Sequence, residues 1–259
     1  MKFLGIIPAR YASTRFPGKP LADLAGKPVI QRVYEQVTGL LDDIVVATDD
    51  ERIFQTVQMF GGKSVMTSSN HRSGTDRCYE AMTAIGGNFD VVINIQGDEP
   101  FIKPSQIELL KACFEDEKTQ IATLVKPFPA DADFEVLFNP NTPKVILNAN
   151  REAIYFSRSI IPYIRGKKSA EWINSFVFYK HIGIYAYKSE VLGQITALPQ
   201  SALELAESLE QLRWIENGST IKAGITDEET IGIDTPEDLE KAVKVFQSMD
   251  TANTASAEP

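Results

Sequence analysis

The chain has 259 residues, a formal charge of −9 and 43% hydrophobic residues, an ordinary composition for a globular protein. An acidic chain without a block of lysine or arginine is a poor nucleic-acid binder. No apolar run is long enough for a membrane span and the N-terminus shows no signal-peptide pattern, so we expect a cytoplasmic protein with no membrane partner.

The first half of the chain alternates apolar runs typical of buried strands with segments of helical spacing. In chain order, it predicts a strand at 3–7, a helix at 28–41, a strand at 44–47, helices at 48–60 and 75–85, a strand at 91–95, a helix at 104–114 and a strand at 121–125. This alternation predicts an α/β fold with a mainly parallel, Rossmann-like sheet that is flanked by helices.

From about Lys126 onward, prolines interrupt this rhythm and short β-like pieces replace it. We interpret residues 126–185 as a β-containing insertion. A strand at 182–187, a helix at 202–216, short strands at 221–225 and 231–233 and a helix at 236–246 follow. We therefore predict a single domain over residues 1–248 and a disordered tail over 249–259. Cys78 and Cys113 lack metal-ligand spacing and are expected to be free thiols.

A basic loop follows the first strand and carries Arg10, Ser13, Arg15 and Lys19 between prolines and a glycine. Open α/β sheets bind ligands at the C-terminal ends of their strands. Arginine and lysine at such a position suit a polyphosphate, although a solvated surface loop is the ordinary alternative. The loop lacks the glycine spacing of a dinucleotide-binding fold or a P-loop.

Two aspartates follow apolar runs in a comparable way. Asp98 lies in the turn after the strand at 91–95, and Asp234 precedes a helix that Thr235 is placed to cap. A carboxylate that faces a polyphosphate needs a cation between them, and Mg²⁺ prefers carboxylate and phosphate oxygens. An ordinary turn or cap aspartate is the alternative for each.

The segment Pro8–Pro20 resembles the nucleotide-binding loop of the 3-deoxy-manno-octulosonate (Kdo) cytidylyltransferase family, and the resemblance continues to about Val245. It implies a nucleotide-diphospho-sugar transferase type of fold and the reaction CTP + Kdo → CMP-Kdo + diphosphate, a step towards lipopolysaccharide. It also implies a homodimer that uses the insertion. Arg10, Lys19 and Asp98 would be catalytic, and Asp98 and Asp234 would bind Mg²⁺.

The resemblance also implies the remaining substrate contacts. The nucleotide would be bound by the basic loop together with Ser73, Arg77 and Gln96. The sugar would be bound by five residues: Arg158, His181, Tyr185, Glu210 and Gln211. A lone histidine or tyrosine on a strand is more often a packing residue, so the physical signal for the sugar site is weaker than that for the loop.

Three alternatives share parts of this pattern. A cytidylyltransferase for another sugar acid, such as 8-amino-Kdo or sialic acid, would keep the loop and both aspartates. A sugar transferase that uses a purine nucleotide would need a different base pocket. A nucleotide-binding subunit without activity would be expected to lack Lys19 or one of the aspartates, and this chain has all three.

Overall fold

The computed structural model describes residues 1–229 and 231–255, and the side chains among them as far as residue 248. The strands are β1 Phe3–Ala9, β2 Asp23–Leu24, β3 Lys27–Pro28, β4 Asp43–Thr48, β5 Ser64–Met66, β6 Val91–Asn94, β7 Ile121–Pro127, β8 Lys144–Leu147, β9 Ala153–Ser157, β10 Tyr179–Lys188 and β11 Ile221–Ile225. The helices are α1 Val29–Val37, α2 Glu51–Met59, α3 Gly74–Ile85, α4 Pro104–Cys113, α5 Ser189–Thr196, α6 Ala202–Glu207, α7 Gln211–Glu216 and α8 Pro236–Ala255.

The chain forms two compact units. The first, which we call the N-terminal unit, contains residues 1–89, 94–104 and the described residues from 231 onward. The second, the central unit, contains residues 90–93 and 105–229. The assignment of residues 1–248 to a single nucleotidyltransferase domain stays a prediction.

In the N-terminal unit, β1 pairs in parallel with β4, and β4 pairs in parallel with β5. Leu4, Ile6 and Ile7 of β1 are fully buried, as their apolar run predicted. Side chains also fix the helix starts, because Asp50 caps α2 and Ser73 caps α3.

In the central unit, β7 pairs in parallel with β11 and antiparallel with β10. Within the predicted insertion, β8 joins the edge of β10 and pairs antiparallel with β9. A separate apolar cluster there contains Leu137, Trp172, Ile173 and Phe178. The prediction of a mixed α/β fold with a mainly parallel sheet is confirmed, whereas the dimer role of the insertion stays a prediction.

Several predicted boundaries were wrong. The first helix ends at Val37, and the helix expected at 202–216 is two helices that are separated at Ser208, whose φ of 50° is left-handed. The strand expected at 231–233 does not form. The amide of Ile233 instead donates to the carbonyl of Asp98, outside any strand ladder.

The last helix continues beyond its expected end at residue 246 and reaches Ala255. Part of the expected tail, residues 256–259, lies outside the described residues. Cys78 and Cys113 form no disulfide bond, as predicted. Within the described part of the chain, no helix is both long and apolar enough to cross a membrane.

Candidate active site

The basic loop begins directly after β1 and folds back on itself before Lys19. The amide of Gly18 donates to the carbonyl of Tyr11 at 2.9 Å, and the amide of Phe16 donates to Ser13 Oγ at 3.3 Å. Gly18 has a φ of 74°, a left-handed conformation that glycine adopts without strain. Arg10 is exposed at the start of the loop. The loop therefore presents its cations on a backbone with fixed turns.

Lys19 lies between the two predicted metal aspartates. Its Nζ is 2.6 Å from Asp98 Oδ2 and 3.5 Å from Asp234 Oδ1. Arg15 also pairs with Asp234, with Nη1 and Nη2 at 3.1 Å and 3.2 Å from Oδ2 and Oδ1. The Lys19 side chain is only 13% exposed, so its ammonium group is held in place rather than free in solvent. The expected proximity of Asp98 and Asp234 is thus observed.

Backbone contacts explain this proximity. A Cβ on Gly97 would lie 2.7 Å from the carbonyl oxygen of Pro8, so only glycine allows the turn with Asp98 to approach the end of β1 so closely. The amide of Ile233 donates to the carbonyl of Asp98 at 2.9 Å. Because of this bond, Asp234 is held beside the Asp98 turn.

Thr235 rather than Asp234 caps the last helix, in agreement with the sequence prediction. The hydroxyl of Thr235 accepts from the amide of Asp238 at 3.2 Å, and Asp238 Oδ2 accepts from the amide of Thr235 at 3.1 Å. This reciprocal pair satisfies the start of α8. The carboxylate of Asp234 is therefore available to the cations of the loop.

The donor set suits a hard divalent cation that also contacts a substrate. Asp98 and Asp234 bring two carboxylates close enough to share one ammonium group, that of Lys19. Among the described residues, no group of three or more histidine, cysteine, aspartate or glutamate side chains could hold a metal ion. Two carboxylates completed by phosphate oxygens are what Mg²⁺ commonly takes, so the residues fit Mg²⁺ bound together with a nucleotide.

The residues predicted to surround the base have different environments. Ser73 caps α3, and its Oγ accepts from the amide of Asp76 at 3.1 Å. A Cβ added at Gly74 would lie 3.6 Å from Asn94 Nδ2 and from Pro8 Cγ, which is an ordinary contact distance. Gln96 begins the turn that contains Asp98, and its carbonyl accepts from the amide of Glu99 at 3.3 Å. Ser73 and Gln96 are both partly exposed, which leaves them accessible to a ligand.

Arg77 differs from the expected picture of a nucleotide contact. It is completely buried, and its guanidinium donates to Thr67 Oγ1 at 2.5 Å and to Asp49 Oδ2 at 3.0 Å. A buried arginine needs such partners, because an unpaired buried charge is costly. Its described contacts join α3 to the residues that follow β4 and β5, and the side chain does not face solvent.

The predicted sugar residues lie in the central unit, where His181 and Tyr185 both belong to β10. His181 Nε2 is 3.0 Å from Thr123 Oγ1, and its ring lies 5.2 Å from that of Tyr185. Burial lowers the pKa of His181 to about 3, so the imidazole is neutral at physiological pH. Burial, and next the charge of Glu210, raise the pKa of Tyr185 well above its usual value.

Four buried polar atoms of β10 and α7 lack a hydrogen-bond partner among the described residues: Tyr185 Oη, Gln211 Nε2, Arg213 Nε and Trp214 Nε1. The Trp214 ring packs edge-on against Tyr185 at 5.1 Å. Glu210 accepts from Arg213 Nη2 at 3.2 Å, which restrains its carboxylate. Buried polar groups without partners are uncommon, and a hydroxyl-rich ligand would satisfy them.

Arg158 is not placed as a free cation for the sugar carboxylate. Its guanidinium donates to three backbone carbonyls, those of Glu207 at 2.6 Å, Pro140 at 2.8 Å and Ser208 at 3.2 Å. The carboxylate of Glu207 in turn accepts from the amide of Arg158 at 2.8 Å. These bonds join the end of β9 to the break between α6 and α7, directly before Glu210.

The sequence interpretation missed Thr123 and Trp214 beside the predicted sugar residues. Trp214 follows Leu212 in a helix that we interpreted only through its apolar spacing. A buried tryptophan usually has a partner for its indole N–H. A tryptophan three residues after Gln211 could therefore have indicated a further polar group at the predicted sugar site. Thr123, in contrast, is an ordinary strand residue whose role becomes visible only from its pairing with His181.

We compared the chain with known protein families, curated relatives and solved structures. The sequence profile of the cytidylyltransferase family matches residues 4–222. A 3-deoxy-manno-octulosonate cytidylyltransferase from Parabacteroides distasonis is 72% identical over 94% of this chain and 97% of its own length. One from Bacteroides thetaiotaomicron is 72% identical over 96% of this chain and 99% of its own.

A solved structure gives the same result. CMP:2-keto-3-deoxy-manno-octonic acid synthetase complexed with CTP matches with a TM-score of 0.88 and 43% identity, over 96% of this chain and all of that chain. A 4-diphosphocytidyl-2C-methyl-D-erythritol synthase from Anaerococcus prevotii, at 14% identity and a TM-score of 0.62, shares the fold alone. The chain therefore belongs to the cytidylyltransferase family, among the 3-deoxy-manno-octulosonate cytidylyltransferases.

Proposed function

We propose that this chain activates Kdo by the reaction CTP + Kdo → CMP-Kdo + diphosphate. The observation that carries the proposal is the position of Lys19 between Asp98 and Asp234, with Arg15 beside them. Such a cluster suits a polyphosphate that arrives with a divalent cation. The 72% identity with two proteins that are named for this activity supports the choice of substrates.

The reaction needs no nucleophile from the protein. The anomeric hydroxyl of Kdo attacks the α-phosphorus in line and loses its proton to solvent, the bond from phosphorus to the bridging oxygen breaks, and diphosphate leaves with the electron pair. The tasks of the protein are to position the two substrates and to neutralise the charge that develops on the phosphates. Arg10, Ser13, Arg15 and Lys19 would perform these tasks on the triphosphate.

Asp98 and Asp234 would hold Mg²⁺ once the nucleotide is present. When bound, the cation would polarise the α-phosphate and lower the pKa of the attacking hydroxyl. Lys19 already holds a positive charge between these carboxylates, so the protein keeps them close before any cation arrives.

Ser73 and Gln96 would contact the cytosine. Because Arg77 is committed to Thr67 and Asp49, we propose that it positions the start of α3 rather than touching the nucleotide. In the central unit, His181, Tyr185, Glu210 and Gln211 would bind the hydroxyls of the sugar acid. We propose that Arg158 braces the segment that precedes Glu210.

The expected cellular setting follows from the same chemistry. Two cysteines that form no disulfide bond fit a reducing compartment, so we propose that the reaction takes place in the cytoplasm. CMP-Kdo would supply Kdo for lipopolysaccharide. A homodimer formed through residues 126–185 is consistent with exposed apolar side chains in that part, namely Phe138, Tyr163, Phe176 and Val177.

The test is a diphosphate-release assay over an array of substrates. CTP, UTP, ATP and GTP are each combined with Kdo, 8-amino-Kdo and sialic acid, with and without Mg²⁺. We expect the highest kcat/KM for CTP with Kdo, and release only when Mg²⁺ is present. A preference for another sugar acid would replace Kdo as the substrate, and a preference for GTP or ATP would overturn the cytidine assignment.

A further inference from the structure

Tyr11 lies inside the basic loop but has no role in the proposed chemistry. Its carbonyl accepts the amide of Gly18 at 2.9 Å, which closes the loop just before Lys19. Its ring also lies against Gly18, because a Cβ added there would fall 3.1 Å from two ring atoms. The backbone and the ring of Tyr11 therefore both fix the position of the residue that precedes Lys19.

The guanidinium of Arg52 covers the ring of Tyr11, with its central carbon 3.3 Å from the ring centroid. Arg52 belongs to the first turn of α2, outside the loop. A cation above the face of an aromatic ring is attracted by the negative charge of that face. Through this contact, the loop is joined to the start of a helix.

Asp50 holds Arg52 in this position. Nε and Nη2 of Arg52 donate to the two carboxylate oxygens of Asp50 at 2.9 Å and 2.6 Å. The same carboxylate caps α2, since it accepts the amide of Arg52 at 3.0 Å. Such a two-pronged pair fixes the plane of the guanidinium as well as its position.

The stacking on Tyr11 is not needed for α2 itself. The helix has its cap in Asp50 and buries Ile53 and Val57 completely. The Arg52 side chain is 58% exposed, so its position is set by Asp50 and Tyr11 rather than by burial. The contact therefore acts mainly on the loop.

We propose that Arg52 and Tyr11 form a positioning pair that holds the basic loop in the conformation that binds the nucleotide. This inference rests on the proposed function, because it assigns the loop to CTP. Contacts run from Asp50 through Arg52 and Tyr11 to Gly18, and Lys19 follows Gly18 directly. Ordering the loop before CTP arrives reduces the conformational entropy that binding must remove.

The test compares single variants by CTP titration calorimetry, steady-state kinetics and thermal melts. Arg52→Met keeps a long side chain without the charge and should raise the Kd and KM for CTP by about three- to tenfold. Tyr11→Leu removes the ring and should do the same, whereas Tyr11→Phe keeps the ring and should resemble the wild type. The KM for Kdo and the melting temperature should stay close to the wild-type values.

Two further variants separate positioning from charge. Asp50→Ser retains a capping oxygen for α2 but releases the guanidinium, so it should also raise the KM for CTP. Lys63→Met removes a similarly exposed cation, which pairs with Asp43 at 2.7 Å, and should leave the KM for CTP unchanged. An equal effect of Lys63→Met would overturn the inference, since overall charge would then explain both results.

The deciding measurement is a double-mutant cycle. If Arg52 acts through the ring, Arg52→Met should cause little further loss of CTP affinity in the Tyr11→Leu background. An equal loss in both backgrounds would mean that Arg52 acts on the nucleotide independently of Tyr11, which overturns the proposal. A wild-type protein that does not bind CTP would instead refute the proposed function, so the two failures can be distinguished.

Discussion

Arg15 and Asp234 form a two-pronged ion pair, with nitrogen–oxygen distances of 3.1 Å and 3.2 Å. The proposed function gives these residues different ligands, since Arg15 would bind the triphosphate and Asp234 would bind Mg²⁺. Arg15 contacts both carboxylate oxygens of Asp234. In addition, Lys19 Nζ lies 3.5 Å from Asp234 Oδ1. Under the proposed function, binding of the nucleotide with its cation would therefore require an exchange of partners.

This exchange predicts a coupling between nucleotide and metal. Arg15→Met should increase the affinity of the nucleotide-free protein for Mn²⁺, a spectroscopic substitute for Mg²⁺, because Asp234 loses its competing cation. The same variant should weaken CTP binding. Both side chains are at least half exposed, so we expect an effect of only a few-fold on metal affinity. Electron paramagnetic resonance of free Mn²⁺, with and without CTP, provides the measurement.

The matched control for Arg15→Met is Arg10→Met. Arg10 lies in the same loop and is exposed, but within the described part of the chain it forms no ion pair. Its loss should weaken CTP binding without changing Mn²⁺ binding in the absence of CTP. Equal Mn²⁺ affinities for Arg15→Met and the wild type would show that the Arg15–Asp234 pair does not compete with the cation.

Lys19→Met should reduce turnover much more than it reduces stability. The ammonium group would contact phosphates whose negative charge grows as diphosphate leaves, and loss of such a contact typically lowers kcat by about 10²–10³-fold. In Mg²⁺-free buffer, the variant should melt somewhat below the wild type, because Asp98 and Asp234 would repel each other without the cation between them.

Addition of Mg²⁺ should recover part of the melting temperature that Lys19→Met loses. The same addition should raise the melting temperature of the wild type by less. Differential scanning calorimetry and diphosphate release measure the two effects separately. Full kcat in the variant would remove Lys19 from the catalytic residues. A melting temperature that Mg²⁺ does not change would argue against a cation site between the aspartates.

Asp98→Asn and Asp234→Asn should each abolish most Mg²⁺-dependent turnover, and the double variant should be little worse than either alone. Residues that act as a unit show such non-additivity. Asp131→Asn, at an exposed turn position, is the control. We do not expect Asp98→Asn to stabilise the nucleotide-free protein, because it weakens the 2.6 Å contact with Lys19. Additive losses would indicate that one aspartate does not bind the cation.

The residue types at the candidate site could be predicted, but their partners could not. Asp98 lies in the predicted turn after β6, but the strand expected before Asp234 does not form, so the rule that parallel strands end at one edge accounts only for the position of Asp98. That Lys19 lies between them, and that Arg15 is paired with Asp234, depends on the paths of long loops. Two contacts set those paths: the close approach of Gly97 to the carbonyl of Pro8, and the hydrogen bond from the amide of Ile233 to the carbonyl of Asp98. No local sequence pattern encodes either contact.

The arginines show a second limit of the sequence. Arg77 and Arg158 occupy positions where a ligand contact was expected, yet one is buried against Thr67 and the other donates to backbone carbonyls. Periodicity does not reveal the direction in which a long side chain points. Likewise, the helix break at Ser208 depends on a left-handed serine, which sequence propensity disfavours. The contacts of Arg158 and Glu207 with that turn provide the physical reason.

His181 should remain neutral over the whole working range of pH. Its pKa is lowered to about 3, whereas an unfolded histidine titrates near about 6.5. Between these values the unfolded chain binds the extra proton, so His181 makes the protein less stable as the pH falls from about 6.5 towards 3. Above about pH 6.5, His181 is neutral in both the folded and the unfolded chain, so it no longer lowers the free energy of unfolding.

Two measurements check this behaviour. The chain has only two histidines, so proton NMR can follow His181 directly, with His71→Asn used to assign its signal. The signal should not titrate above pH 5. His181→Asn should also flatten the acid side of the plot of melting temperature against pH, while His71→Asn should keep the dependence that His181 causes. A midpoint near 6 for His181 would refute the assignment of a desolvated, neutral imidazole.

Gln211→Met and Tyr185→Phe should stabilise the free protein while weakening the binding of Kdo. Gln211 Nε2 and the Tyr185 hydroxyl are buried and lack a hydrogen-bond partner among the described residues. Removal of an unpaired buried polar atom relieves a cost of about 1–3 kcal/mol, part of which should appear as a melting temperature higher by about 2–4 °C. If these atoms bind sugar hydroxyls, the KM for Kdo should rise roughly tenfold.

The KM for CTP should not change in either variant, because neither residue is a predicted nucleotide contact. Thr119→Val is the control, since Thr119 Oγ1 is another buried atom without a partner among the described residues but is not a predicted sugar contact. It should raise the melting temperature without changing the KM for Kdo. A lower melting temperature together with equal losses for CTP and Kdo would mean that Gln211 and Tyr185 are structural.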